Sequence, residues 1–143
     1  MYKIIIADDE KIIRSGLRNA LDWQALGFEV LEVFSDGEEV IDYLEYATPD
    51  VILTDIRMEN ISGIEVAKYV WENHLPCKVF LVSSYQEFSY AVSALHYGVS
   101  DYLLKPVDRP SMEKTFRQLK QQLDSGLITK EEYQEKRSVL LKE

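Results

Sequence analysis

Val51-Ile52-Leu53-Thr54-Asp55 decides the fold: it is a strand-length run of apolar and β-branched residues that closes on an acid. Comparable runs stand at residues 3–7, 28–34, 79–83 and 101–104. Between them, residues 11–21, 38–46, 64–71 and 88–95 space their apolar side chains near the helical period. Ile4-Ile5-Ile6, Val51-Ile52-Leu53 and Val79-Phe80-Leu81-Val82 are apolar on both sides of the pleat, as strands are when helices cover both sheet faces. The alternation predicts an α/β fold, a doubly wound five-stranded parallel sheet. Gly27, Asp36-Gly37, Pro49-Asp50, Pro76 and Gly98 punctuate it at the expected junctions.

Past the fifth strand, Ser111 is expected to cap a helix that begins near Pro110 or Ser111 and runs to about Leu123. Asp124-Ser125-Gly126 stops it, and Thr129-Lys130-Glu131-Glu132 has the capping-box pattern that opens another helix, to about Leu141. The expected division is residues 1–122 for the α/β domain and 123–143 for a C-terminal helical extension.

Composition narrows the function. A chain of 143 residues is long enough for one domain with a real core. Nothing in it resembles a transmembrane span, and the apolar start meets Asp8-Asp9-Glu10 too soon for a signal peptide, so a cytoplasmic protein is expected. The single cysteine, Cys77, has no partner for a disulfide or a structural zinc site and reads as a small buried hydrophobe. His74 and His96 have no metal-ligand spacing to each other or to Cys77, and read as structural or exposed. The net charge of −9 is unevenly spread: residues 1–108 carry 8 basic and 19 acidic side chains, residues 109–143 carry 8 and 6. Such an acidic body argues against direct nucleic-acid binding, which needs a basic footprint. It suits a cation site better.

In parallel α/β sheets, ligands bind outside the carboxyl ends of the strands. There the sequence has Asp8-Asp9 after strand one, Asp55 ending strand three, Ser83-Ser84 at strand four and Lys105-Pro106 after strand five. Singly, each has a plain explanation: aspartates cap helices, lysines decorate surfaces, and Ser83 could be a loop hydroxyl. Together, three carboxylates repel one another unless a cation lies between them, and a few hard oxygen ligands suit Mg²⁺. A divalent ion and Lys105 can jointly neutralise a phosphoryl group, leaving a carboxylate free to act as nucleophile, with Ser83 bonding a phosphoryl oxygen. The product is an acyl phosphate, which water can later hydrolyse.

Asp8-Asp9, Asp55, Ser83 and Lys105-Pro106, at these strand ends, resemble the signature of the receiver domain of two-component response regulators. The resemblance covers roughly residues 1–120. It implies a flavodoxin-like sheet of order 2-1-3-4-5 and phosphoryl transfer from a sensor histidine kinase to Asp55. It further implies that Asp9, Asp55 and the Arg57 carbonyl bind Mg²⁺ directly, that Asp8 assists through water, that Lys105 pairs with the phosphoryl group and that Pro106 follows a cis peptide. Ser83 and Tyr102 match the family's switch pair. Their motion would remodel the face made by the fourth helix, fifth strand and fifth helix, a surface through which such domains dimerise or dock partners. Plain core packing is the alternative reading of Tyr102. The stretch from Ser83 to Ala91, with Gly98 to Val107 behind it, is similar to regulators that carry AraC-type DNA-binding domains.

Two departures stand out. The family usually has proline at the position of Glu59 and often aspartate at that of Ser62; the spacing to Gly63 is kept, so the fold stands, but the rigidity of the loop after Asp55 is left in question. Arg57 and Tyr85 occupy the positions that, in the family it resembles, influence the approach of the hydrolytic water, and their bulk predicts slow loss of the phosphoryl group. Residues 119–141 resemble the short C-terminal motif SHOCT, with a helical linker as the alternative.

Other function classes fit less well. Aspartate-nucleophile phosphatases need a second aspartate two residues on, where this chain has Arg57. A degenerate receiver serving only as an interaction module would lack the acid pair or the lysine. The expectation is therefore a phosphoacceptor switch rather than a metabolic enzyme, either as a stand-alone receiver working by protein contact or as the receiver part of a transcription regulator.

Overall fold

A computed structural model describes residues 1–84, 97–105 and 107–125, with the backbone alone at Asp101 and Tyr102. The predicted helix at 88–95, Tyr85, Pro106, His96 and the tail 126–143 lie outside the described residues.

The elements follow in order as β1 (Tyr2–Ala7), α1 (Lys11–Asn19), α2 (Trp23–Leu26), β2 (Phe28–Phe34), α3 (Gly37–Leu44), β3 (Val51–Asp55), α4 (Gly63–Glu72), β4 (Lys78–Ser83), β5 (Asp101–Leu104) and α5 (Arg109–Asp124). The five strands form one sheet of order β2-β1-β3-β4-β5, every neighbouring pair parallel. Both the predicted sheet and the order implied by the resemblance are observed.

Successive strand residues point to opposite faces, and the apolar runs use both. On one face Ile5, Ala7, Ile52, Val79 and Leu81 pack with Val40 and Leu44 of α3 and Val66, Ala67 and Val70 of α4. On the other, Ile4, Ile6, Val51, Leu53, Phe80 and Val82 meet Leu17 of α1, Trp23 and Leu26 of α2, and Met112, Phe116 and Leu119 of α5. Phe116 is the hub of that second layer: its ring lies 4.9 Å from Trp23, 5.6 Å from Phe28 and 5.5 Å from Phe80, centroid to centroid. Burying such a ring is worth roughly 1.5–3 kcal/mol before its edge contacts are added. Cys77 is fully buried in the first layer, as its reading as a hydrophobe required.

Helix ends explain where the sequence reading slipped. The fifth helix starts at Arg109, one residue before the expected Pro110 or Ser111, and its cap is Asp108, not Ser111: the Asp108 carboxylate accepts from the Ser111 backbone N–H at 2.8 Å and the Ser111 hydroxyl at 2.9 Å. Ser111 is therefore a donor to the cap, with Pro110 in the first turn where its missing N–H costs nothing. The one-turn α2 was not predicted. Asp22 caps it through Ala25 N–H, and Gly27, at φ +93°, ends it in the left-handed region that a side chain would resist. Among the described residues, no helix is long and apolar enough to cross a membrane.

Candidate functional site

The register sets the strand ends level. Ala7 pairs with Thr54, Asp55 with Val82 and Ser83 with Leu104, so Asp8, Asp55, Ser83 and Lys105 emerge together at the carboxyl edge. Backbone bonds fix the edge further: Lys105 N–H donates to Ser83 O at 2.8 Å, and Ile56 N–H donates to the Asp55 carboxylate at 2.8 Å. Arg14 of α1 reaches back to donate to Asp8 O at 2.8 Å.

Lys105 Nζ lies 3.2 Å from Asp55 Oδ2 and 3.4 Å from Asp8 Oδ2, bridging two acids that are almost wholly buried. Carboxylate oxygens of Asp8, Asp9 and Asp55 come within 4.8 Å of one another. Asp9, by contrast, is exposed. Burial pushes the Asp8 carboxyl above its ordinary range, against the lowering pull of the Glu10 N–H and of Lys105. Burial alone would lower Lys105, but Asp55 and Asp8 outweigh it and hold the ammonium above its ordinary value. Two buried oxygens here have no hydrogen-bond partner among the described residues: Asp8 Oδ2, which has Lys105 at ion-pair distance only, and Ser83 Oγ. Buried polar atoms left in this way call for a ligand. Three converging carboxylates and an unbonded oxygen form a hard donor set that fits Mg²⁺.

The loop from Asp55 to α4 closes tightly. Gly63 N–H donates to Ile56 O at 2.8 Å, and a Cβ at Gly63 would stand 2.1 Å from Asp55 O, so only glycine fits. Ser62 caps α4 through Glu65 N–H at 3.1 Å, a role an aspartate would fill equally well, so the helix keeps its cap despite that departure. Arg57 is exposed. Tyr102 of β5 pairs its backbone with Leu81 of β4; its side chain lies outside the described residues, as do Tyr85 and Pro106.

Comparison with known proteins settles the family. The model of the response regulator receiver domain matches residues 4–117. This chain is a response-regulator receiver. The short C-terminal domain family, SHOCT, matches residues 116–141, so that match begins inside α5. Among curated relatives, the transcriptional regulatory protein HptR of Staphylococcus aureus is 37% identical over 113 residues, 79% of this chain and 44% of that protein. An uncharacterized response regulatory protein of Staphylococcus epidermidis is 36% identical over 123 residues, 86% of this chain and 48% of its own length. The receiver thus spans about half the length of the curated relatives it matches. Among solved structures, the REC domain of AraT, a response regulator from Geobacillus stearothermophilus, superposes with a TM-score of 0.81 at 37% identity, covering 89% of this chain and 98% of that one. A two-component transcriptional regulator AraC from Clostridium phytofermentans gives 0.75 at 31% identity, covering 85% and 94%.

Two residues of the receiver's site went unnoticed in the sequence. Asp36 read only as a turn residue, yet its carboxylate ties α3 to the loop after Asp55. Gly63 read as a spacing marker, yet it makes room for the Asp55 backbone. A capping pattern, Asp36 followed by Glu39, was the one legible sign of the first.

Proposed function

We propose that this receiver is a phosphorylation switch in which Asp55 accepts a phosphoryl group from the phosphohistidine of a sensor histidine kinase. The observation that carries the reading is the Lys105 ammonium bridging Asp55 and Asp8 inside a cluster of three carboxylates. In the transfer, an Asp55 carboxylate oxygen forms a bond to phosphorus as the P–N bond breaks, and that bond's electron pair stays on the imidazole. Lys105 balances the charge arriving on the phosphoryl oxygens, and Ser83 Oγ, buried and unbonded among the described residues, donates to one of them. Asp8, Asp9, Asp55 and the Arg57 carbonyl would hold Mg²⁺, which, when bound, withdraws charge from the phosphoryl group.

Ser83 and Tyr102 then act as the switch pair, altering the surface around β5 and α5, through which the receiver dimerises. Residues 1–122 form the switching unit and 123–143 an extension of SHOCT type. HptR is named a transcriptional regulatory protein, which supports transcription control as the output of a longer protein acting in the cytoplasm. Contact with a target protein, without DNA, is the alternative.

The test is intact-mass measurement after incubation with acetyl phosphate. Wild type should gain one phosphoryl mass only when Mg²⁺ is present, and Asp55→Ala should gain none. Labelling of the alanine form would overturn the assignment. After a chelator is added, the label should persist longer in wild type than in Arg57→Asn.

A further inference from the structure

Asp36 stands two residues past the end of β2 and touches none of the metal or phosphoryl ligands assigned above, yet it is built into the loop that follows Asp55. It is only 7% exposed, and it sits at the start of α3. Its Oδ2 accepts from Glu38 N–H at 2.9 Å, an ordinary helix cap. The same carboxylate accepts from Asn60 N–H at 2.9 Å and Ile61 N–H at 3.1 Å, residues that follow it by 24 and 25 positions. Next to it, Gly37 N–H donates to Ile61 O at 3.1 Å, and a Cβ at Gly37 would stand 2.4 Å from that oxygen. The start of α3 and the loop are therefore in backbone contact.

A cap alone does not call for a buried charge, since serine or asparagine caps as well. The charge is explained by the loop amides. Burial works to raise the Asp36 carboxyl, but the amides of Asn60, Glu38, Ile61 and Glu59 outweigh it and hold the group below the usual carboxylate range. Glu59 matters here in a second way. A proline at that position would fix φ and stiffen the loop from within. Glu59 supplies no such restraint.

Resting on the reading of Asp55 as phosphoacceptor, we propose that Asp36 is a positioning residue for the phosphoacceptor loop, anchoring Asn60 and Ile61 so that the Arg57 carbonyl between them and Asp55 is held ready for the metal ion. The anchor replaces, from outside the loop, the stiffness a proline at position 59 would give from within. Groups of this kind, which hold a ligand without touching the ion, alter metal affinity by about 10–100-fold when removed.

The experiment titrates Mg²⁺ into the ¹⁵N-labelled, unphosphorylated full chain and reads the dissociation constant from backbone amide shifts, with thermal melts alongside. Asp36→Ser keeps a capping oxygen for Glu38 but cannot serve both loop amides. It should fold and weaken Mg²⁺ binding by about tenfold. Its maximal rate of labelling by acetyl phosphate at saturating Mg²⁺ should fall far less than its affinity. Asp36→Asn, which retains one acceptor oxygen, should lie between, and adding Glu59→Pro to Asp36→Ser should restore most of the affinity. Should the serine form fail to fold, Asp36→Asn with and without Glu59→Pro carries the same comparison. Wild-type Mg²⁺ affinity in the Asp36 variants, or a loss that Glu59→Pro leaves in place, overturns the proposal. Wild type that binds no Mg²⁺ and takes no label would instead sink the phosphoacceptor reading beneath it.

Discussion

At the scale of single residues, the site is built around Asp8 and Asp55, two buried acids held in a costly state. Asp8 is fully buried, with an oxygen that has no hydrogen bond among the described residues, beside two other carboxylates and one lysine. Burial of a charge with like charges nearby destabilises a fold unless a cation compensates, and active sites accept that cost for function. Asp8→Asn should therefore raise stability in metal-free buffer by about 0.5–2 kcal/mol while abolishing Mg²⁺ binding. Urea melts with a chelator check this; an asparagine form less stable than wild type would contradict it. Asp8, Asp9, Asp55, Ser83 and Lys105 were legible in the sequence because a parallel sheet brings its strand ends to one edge whatever the loops do. Asp36 was not, since nothing local tells an ordinary helix cap from one whose partners lie in another loop.

At the scale of elements, the packing of α4 against β3 depends on one missing side chain. A methyl group at Gly63 would stand 2.1 Å from the Asp55 carbonyl oxygen and 3.1 Å from Thr54 Cγ2, neither of which can move without shifting the acceptor. Gly63→Ala should cost about 1–3 kcal/mol, the usual penalty for overpacking, and slow labelling of Asp55 as the strand end is displaced. Denaturant midpoints and labelling rates measured together check both; an alanine form with wild-type values for each would contradict the account. Strands were the easiest elements to read, because both faces of β1, β3 and β4 are buried and their apolar runs are unbroken. Helix ends were harder. The start of α5 turned on whether Asp108 or Ser111 supplied the capping oxygen, a choice of rotamer that spacing does not encode. The single turn of α2 is too short to display a period at all.

At the scale of the whole molecule, the order of the sheet followed from a family resemblance, whereas its coverage on both faces followed from the apolar runs themselves. The charge distribution adds a prediction of its own. With 8 basic and 19 acidic side chains over residues 1–108, this receiver meets a duplex with a predominantly acidic body, so it should not retard DNA even at low salt, phosphorylated or not. A salt-sensitive complex in a mobility-shift assay would contradict that. The central claim is narrower: the acid at the end of β3 takes the phosphoryl group. Borohydride converts an aspartyl phosphate to homoserine, so the direct measurement is peptide mass mapping of the chain after incubation with acetyl phosphate and Mg²⁺ followed by borohydride. The account predicts homoserine at position 55 and at no other aspartate. Homoserine at position 8 or 9, or a labelled chain with Asp55 unchanged, would contradict it.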